Sequence, residues 1–188
     1  MLELESLITS RTRIKMLLKF FSNSHSSAYL REMAEEFGES TNSIRLELNK
    51  LSKAGYLVAH SKGRTIEYKA NTHHLLYTEL KKLVHKYLGI ETIMESVINK
   101  VMSRLGKVSY AFIIGDYAHG KDSGLIDLVF VGDIDQLYLR NCVEKAEALI
   151  HRKIRTLVLS PSEYEANKRN LNPEKAIWLW GDEAGPEA

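Results

Sequence analysis

The feature that most restricts how this chain can fold is a change of apolar period at Gly55. Before it, the apolar residues keep helical spacing: Ile14, Leu17, Leu18 and Phe21 in one run, then Ile44, Leu48 and Leu51 in another. After it come two short β-prone runs, residues 56–60 and 65–68, on either side of Ser61-Lys62-Gly63-Arg64, the pattern of a hairpin. The first helix takes Thr9 or Ser10 as its N-cap, and the polar run of residues 22–27 interrupts it. A second short helix is predicted over residues 29–37, starting after Ser26 or Ser27 and ending at Gly38. A third is capped by Ser40 or Thr41 and terminated by Gly55.

Helix, helix, tight turn, helix and hairpin within about 60 residues is the order of a winged helix-turn-helix, a module that lays its later helix in a DNA groove. A small α+β packing unit with no nucleic-acid role would have the same order, so the placement of polar groups decides. With Ile44, Leu48 and Leu51 on one side of the third helix, the opposite side carries Asn42, Arg45, Leu46, Asn49, Lys50 and Lys53. Asn pairs bidentately with adenine, Arg with guanine, and an aliphatic side chain meets a thymine methyl. Thr41 and Ser43 lie at the helix start, while Lys50 and Lys53, nearer its end, suit phosphates better than bases. Leu46 either takes part in that face or packs on a neighbouring element. Lys62 and Arg64 flank Gly63 at the wing tip, placed for backbone or minor-groove contact or simply for a solvated turn.

Charge is unevenly distributed. Residues 1–71 carry eleven Lys/Arg against eight Asp/Glu, residues 72–107 six against three, and residues 108–188 nine against thirteen. Only the front of the chain therefore suits a polyanion. At 188 residues the chain has room for one ordinary domain or two small ones. No run approaches the about 18 apolar residues of a membrane span. The first residues place acids before bases with no apolar core, so a soluble, cytoplasmic protein is expected. Cys142 is the single cysteine, which excludes an intrachain disulfide or thiolate cluster.

Residues 29–38, 40–51 and 54–57, with Leu48, Leu51, Ala54, Gly55 and Leu57 in an LxxLxxAGxL pattern, resemble the ArsR-like winged-helix regulators over about the first 90 residues. The resemblance implies that residues 40–53 are the recognition helix and that double-stranded DNA is bound by a homodimer built on the first and last helices of the domain. Leu76, Leu80, Leu83, Val84 and Tyr87 stripe a predicted helix over residues 74–88, too apolar on one side to stand alone. A two-fold dimer sets recognition helices about 34–36 Å apart, so a pseudo-palindromic operator is expected. His74 and His85 have the spacing of metal ligands in some such sensors, but Thr72 and Leu88 stand where those sensors add further ligands. No metal or cofactor is expected, and any small-molecule effector is unidentified.

Gly89 is the natural domain boundary, giving residues 1–72 as the winged helix, 73–89 as a linking or dimerisation helix, and 90–188 as a second domain. An amphipathic helix is predicted over residues 90–105, closed by Gly106. Buried strands follow at residues 108–114 and 126–131 around a small-residue loop, then a helix over 137–151, a strand over 154–159 and a short helix after Pro161. The fold class expected is α+β: a winged helix followed by a small α/β domain with a mixed sheet. Ile177, Trp178, Leu179 and Trp180 form an apolar patch that either packs back on the domain or meets a partner, and residues 182–188 should fray.

Gly115, Ala118, Gly120 and Asp127 resemble the signature of the minimal nucleotidyltransferase fold, whose paired aspartates hold Mg²⁺ against the nucleotide phosphates. The departures fall where the chemistry is done. Asp116 stands at the serine position, Leu125 replaces the first metal carboxylate, and the loop is about two residues short. Asp122, a loop acid, is a poor substitute. Gly115, Asp116 and Asp127 are thus expected to mark a degenerate nucleotide site, and the protein to be a regulator and not an enzyme. The rival is a Mg²⁺-dependent nucleotidyltransferase targeted by its winged helix. A winged helix that binds only protein is a third possibility.

Overall fold

The computed structural model describes residues 4–100 and 108–181. The chain divides into two compact units, residues 2–84 and 85–188. In the first, a single turn α1 (Leu4–Leu7) precedes α2 (Arg11–Phe21), β1 (Ser27–Tyr29), α3 (Leu30–Phe37), α4 (Thr41–Lys53), β2 (Leu57–Lys62) and β3 (Thr65–Ala70). Ser10 caps α2 by accepting the Arg13 N–H at 3.2 Å, and Ser40 caps α4 by accepting the Ser43 N–H at 3.1 Å. The three strands form an antiparallel sheet in the order β1-β3-β2. The helices close over a core of Met16, Phe20, Phe21, Met33, Ile44 and Leu48, all buried. This is the winged helix-turn-helix arrangement, with β2–β3 as the wing.

Two boundaries differ from the sequence expectation. The second helix starts at Leu30, because residues 27–29 are drawn into β1, where Ala28 is buried opposite Tyr68. So short a strand has no periodicity of its own and exists only through pairing with β3. The next helix, α5 (Tyr77–Tyr87), starts three residues late. His74 and Asn71 instead organise a turn: Nδ1 of His74 accepts the Leu76 N–H at 3.1 Å, and Asn71 donates to the Gly55 carbonyl at 2.9 Å.

The second unit opens on α6 (Ile90–Ile93), which runs on into a π-helical turn at Met94–Ile98. The expected continuation to residue 105 and the Gly106 stop lie outside the described residues. β4 (Val108–Ile114) pairs antiparallel with β5 (Leu125–Gly132), and α7 (Gln136–Ile150) carries the chain to β6 (Lys153–Leu159), parallel to β5. The helix after Pro161 is no short turn. α8 (Pro161–Leu171) runs eleven residues from a capping box on Ser160 and Glu163.

The tryptophan segment is a strand, β7 (Ile177–Trp180), antiparallel to β4, giving a mixed sheet in the order β6-β5-β4-β7. Trp178 is held between Tyr110 and Phe112, with Tyr164 of α8 completing the cluster, and its indole N–H donates to the Pro173 carbonyl at 3.0 Å. Four residues carried too little periodicity to be told from a packed tail. Residues 182–188, where fraying was expected, lie outside the described residues.

Gly181 ends β7 at φ +60, and a Cβ there would stand 2.3 Å from the Ser109 carbonyl oxygen. Gly181→Ala combines a strained backbone with a backbone clash, so it should lower the urea midpoint of unfolding by about 1–3 kcal/mol of stability. An unchanged midpoint would contradict the β4–β7 pairing.

Candidate nucleic-acid interface

α4 turns one face inward and the other to solvent. Ile44, Leu48 and Leu51 are buried, and among them lies an acid, Glu47, only 7% exposed. An isolated carboxylate there would be costly. Arg13 of α2 meets it with two donors, Nε at 2.9 Å and Nη2 at 3.3 Å, and Lys50 adds a third at 3.0 Å. Burial alone would raise the Glu47 pKa, but the hydrogen bonds from Arg13 and Lys50 outweigh it and hold the carboxyl below its ordinary value. At the helix start Glu39 plays a similar part. It accepts from Thr12, from Ser43 at 3.1 Å and from Lys15 at 3.4 Å, and these bonds lower its pKa against the upward push of burial. Two carboxylates therefore tie α4 to α2 from the inside.

The remaining face is open. Thr41, Asn42, Arg45, Asn49, Lys50 and Lys53 are exposed, and Leu46 among them is 54% exposed, packed on nothing that would bury it. Among the described residues the side chains of Asn42, Arg45, Asn49 and Lys53 have no hydrogen-bonded or ionic partner. Two residues named with this face are placed differently: Ser43 is half-buried and turned to Glu39, and Lys50 is tethered to Glu47. At the wing, Arg64 is exposed and unengaged among the described residues, whereas Lys62 is paired with Glu67 of β3 at 2.9 Å. The hydrogen bond to that carboxylate raises the Lys62 pKa. Arg13, Glu47 and Glu67 carry this geometry and were not singled out from the sequence. The Glu47–Lys50 spacing of three residues was the one readable sign.

The loop between β4 and β5 gathers the other set of singled-out residues. Gly115 sits at φ +71, where a Cβ would stand 2.9 Å from Asp127 Oδ2, so the close approach of loop and strand requires glycine. Asp127 lies opposite Arg155 in the parallel β5–β6 register, and the Arg155 Nε donates to it at 2.5 Å. Asp116 is exposed, 3.6 Å from the Lys121 ammonium. Leu125, the first residue of β5, supplies no oxygen ligand. A divalent metal of the kind the nucleotidyltransferase resemblance implies does not fit this donor set, because the one strand carboxylate is already neutralised by a guanidinium. No group of three metal-binding side chains occurs among the described residues.

Nor is Asp122 free to serve. Arg152 clasps it with Nε at 3.1 Å and Nη2 at 2.5 Å, the buried Tyr117 hydroxyl donates to it, and the Gly124 N–H donates at 3.3 Å. Burial opposes ionisation of Asp122, yet the bonds from Arg152 and Tyr117 bring its pKa below the usual carboxylate value. Burial, then the Asp122 carboxylate, push the Tyr117 phenol far above its own.

Comparison with known proteins adds little. The chain matches no protein-family model and no curated protein. Among solved structures, reduced HlyU from Vibrio cholerae N16961 is similar over 44% of this chain and 82% of its own, at 14% identity and a TM-score of 0.36. So loose a likeness carries no argument. Among the described residues no helix is long and apolar enough to cross a membrane.

Because the Asp122 pKa is depressed on folding, its contribution is present above the unfolded carboxyl value, about 3.9, and is lost as pH falls through the folded value. Asp122→Asn should therefore cost about 1–3 kcal/mol at pH 7 and almost nothing once the pH lies below the folded value. Urea titrations of both proteins at neutral and acidic pH measure the closing gap. A gap independent of pH would mean that the Asp122 pKa is the same in the folded and unfolded states.

Proposed function

We propose that this protein is a sequence-specific DNA-binding transcriptional regulator that acts as a homodimer. In this reading α4 lies in the major groove, with Asn42, Arg45, Leu46 and Asn49 toward base edges and Lys53 and Lys50 toward phosphates. The β2–β3 turn brings Arg64, with Lys62, to the backbone or minor groove. The single observation that carries it is the open face of α4: four polar or cationic side chains with no partner in the described chain, around an exposed leucine, on a helix whose orientation is fixed from behind. A face that merely met water would have no use for Leu46 at its centre. The surplus of positive charge ahead of residue 108 agrees with a polyanionic partner.

The second unit is, in the same proposal, a nucleotidyltransferase-like fold without transferase chemistry, kept for assembly or for sensing. Leu125 at one ligand position and the Arg155–Asp127 pair at the other favour this over the Mg²⁺-dependent enzyme. Homodimerisation has support from α5 and the residue before it, where Leu83 and Leu76 remain 36% and 47% exposed and Leu80 and Tyr87 are half-buried.

Selection of bound sequences from random duplex DNA at two salt concentrations tests the proposal. A half-site motif with two-fold symmetry is the expected result, and no enrichment would end it. With the selected site, Arg45→Ala should cost about 1–3 kcal/mol and relax the choice at one base pair. Lys53→Ala should weaken all sequences alike and reduce the salt slope by about 1. Equal binding by the Arg45→Ala protein to every duplex, at parental affinity, would show the face to be misassigned.

A further inference from the structure

The wing sheet carries, on the face turned away from the core, one acid that solvent hardly reaches. Residues directly opposite one another in an antiparallel pair share a face. Glu67 of β3 therefore lies beside Tyr29 of β1 and His60 of β2, with Lys69 beside Ser27 and Thr65 beside Lys62. The other face holds Ala28, Leu57, Tyr68 and Ala70, all buried in the core. Glu67 is nevertheless only 6% exposed. Its carboxylate is gathered in by donors from all three strands: the Lys62 ammonium at 2.9 Å, the Lys69 ammonium at 3.7 Å and the Ser27 hydroxyl. Lys62 also donates to the Tyr29 hydroxyl. The hydrogen bond from Lys62, against a smaller push from burial, holds the Glu67 carboxyl below the ordinary carboxylate range. Lysines and hydroxyls converging on one anion are the groups with which proteins hold DNA phosphates. Here the anion is the protein's own.

We propose that Glu67 holds the place of a DNA backbone phosphate on the wing, and that binding of a duplex draws Lys62 away from it. The inference rests on the DNA-binding reading above and adds a restraint that the chain places on its own wing. Lys62 is the residue on which the two partners compete. It adjoins Gly63 at the hairpin turn, next to the unengaged Arg64, and it remains exposed while bonded to Glu67. A phosphate that reaches Arg64 thus meets a lysine whose charge is already matched. The carboxylate cannot follow Lys62 outward, because Glu67 belongs to the middle strand and stands two residues back from Thr65 at the start of β3. Of the two positive charges that Lys62 and Lys69 offer, Glu67 cancels one. That cancellation weakens attachment to every duplex alike, since phosphate contacts carry no sequence information. Choice among sequences is left to the base contacts of α4.

Affinity of the full chain for a duplex of random sequence, measured at several salt concentrations, tests it. Glu67→Gln keeps the size of the side chain. It should bind about five- to tenfold tighter near physiological salt, with a salt slope steeper by about 1. A double-mutant cycle separates release of Lys62 from a general change of charge. Lys62→Ala should weaken the Glu67→Gln protein by about five- to tenfold and the parent severalfold less, because the parent lysine must first give up its carboxylate. Arg64→Ala should weaken both proteins equally. A readout without substitution runs alongside: the carboxyl carbon resonance of Glu67 should shift when the parent is saturated with duplex. Affinity and slope unchanged by Glu67→Gln, equal losses from Lys62→Ala in the two backgrounds, or an unmoved Glu67 resonance each overturn the proposal. The DNA-binding reading survives any of these, since the parent still binds. A parent that binds no duplex at any salt concentration removes both.

Discussion

The first unit depends on one ion pair, the partly exposed Arg13 with the buried Glu47. A helix that keeps one face outward must hold a fixed rotation, and apolar contacts alone tolerate some rolling because leucines repack with little loss. A buried carboxylate does not tolerate it. If α4 turned about its axis, Glu47 would lose its Arg13 donors at 2.9 and 3.3 Å and keep only Lys50 of its own helix against its burial among Ile44, Leu48 and Leu51. The second tie, Glu39 to Thr12, Ser43 and Lys15, fixes the opposite end of the helix. Inward acids thus orient α4 while its outward bases remain available, and the two sets never compete for the same partner except at Lys50.

In the second unit the same element of chemistry is put to a different use. Where a nucleotide-handling site would keep its strand carboxylate ready for a cation from solution, Asp127 is held by a cation from the next strand, and Asp122 is enclosed by Arg152 and Tyr117. The Arg152 guanidinium also lies 5.4 Å from the Tyr87 ring, so one side chain links the β4–β5 loop to Tyr87. The acids of this loop act as internal fasteners.

How far the sequence could be read follows from the range over which each signal acts. Helices α2, α3 and α4 and the hairpin after them were legible because period, caps and Gly55 are local, and Ser10 and Ser40 cap as their positions indicated. The open face of α4 was legible for the same reason, since helical geometry places Asn42, Arg45, Leu46 and Asn49 together. What escaped depended on pairing between distant segments. β1 and β7 are too short to show alternation and exist only against β3 and β4. Arg155 acquires its meaning only from the β5–β6 register, which no local pattern sets. Ser43 and Lys50 were counted with the outer face because helical rotation alone cannot reveal an acid reaching toward them.

The placement of β7 bears on how the molecule is made. β4 is an interior strand, yet one of its two neighbours is β7, residues 177–180, which a ribosome delivers only after every other strand of that sheet. Until then the nascent sheet has a raw border at β4, with Phe112 and Tyr110 lacking the indole of Trp178. Folding of this half is therefore completed late in translation, and the interval before it is when the chain is most open to mispairing or chaperone capture.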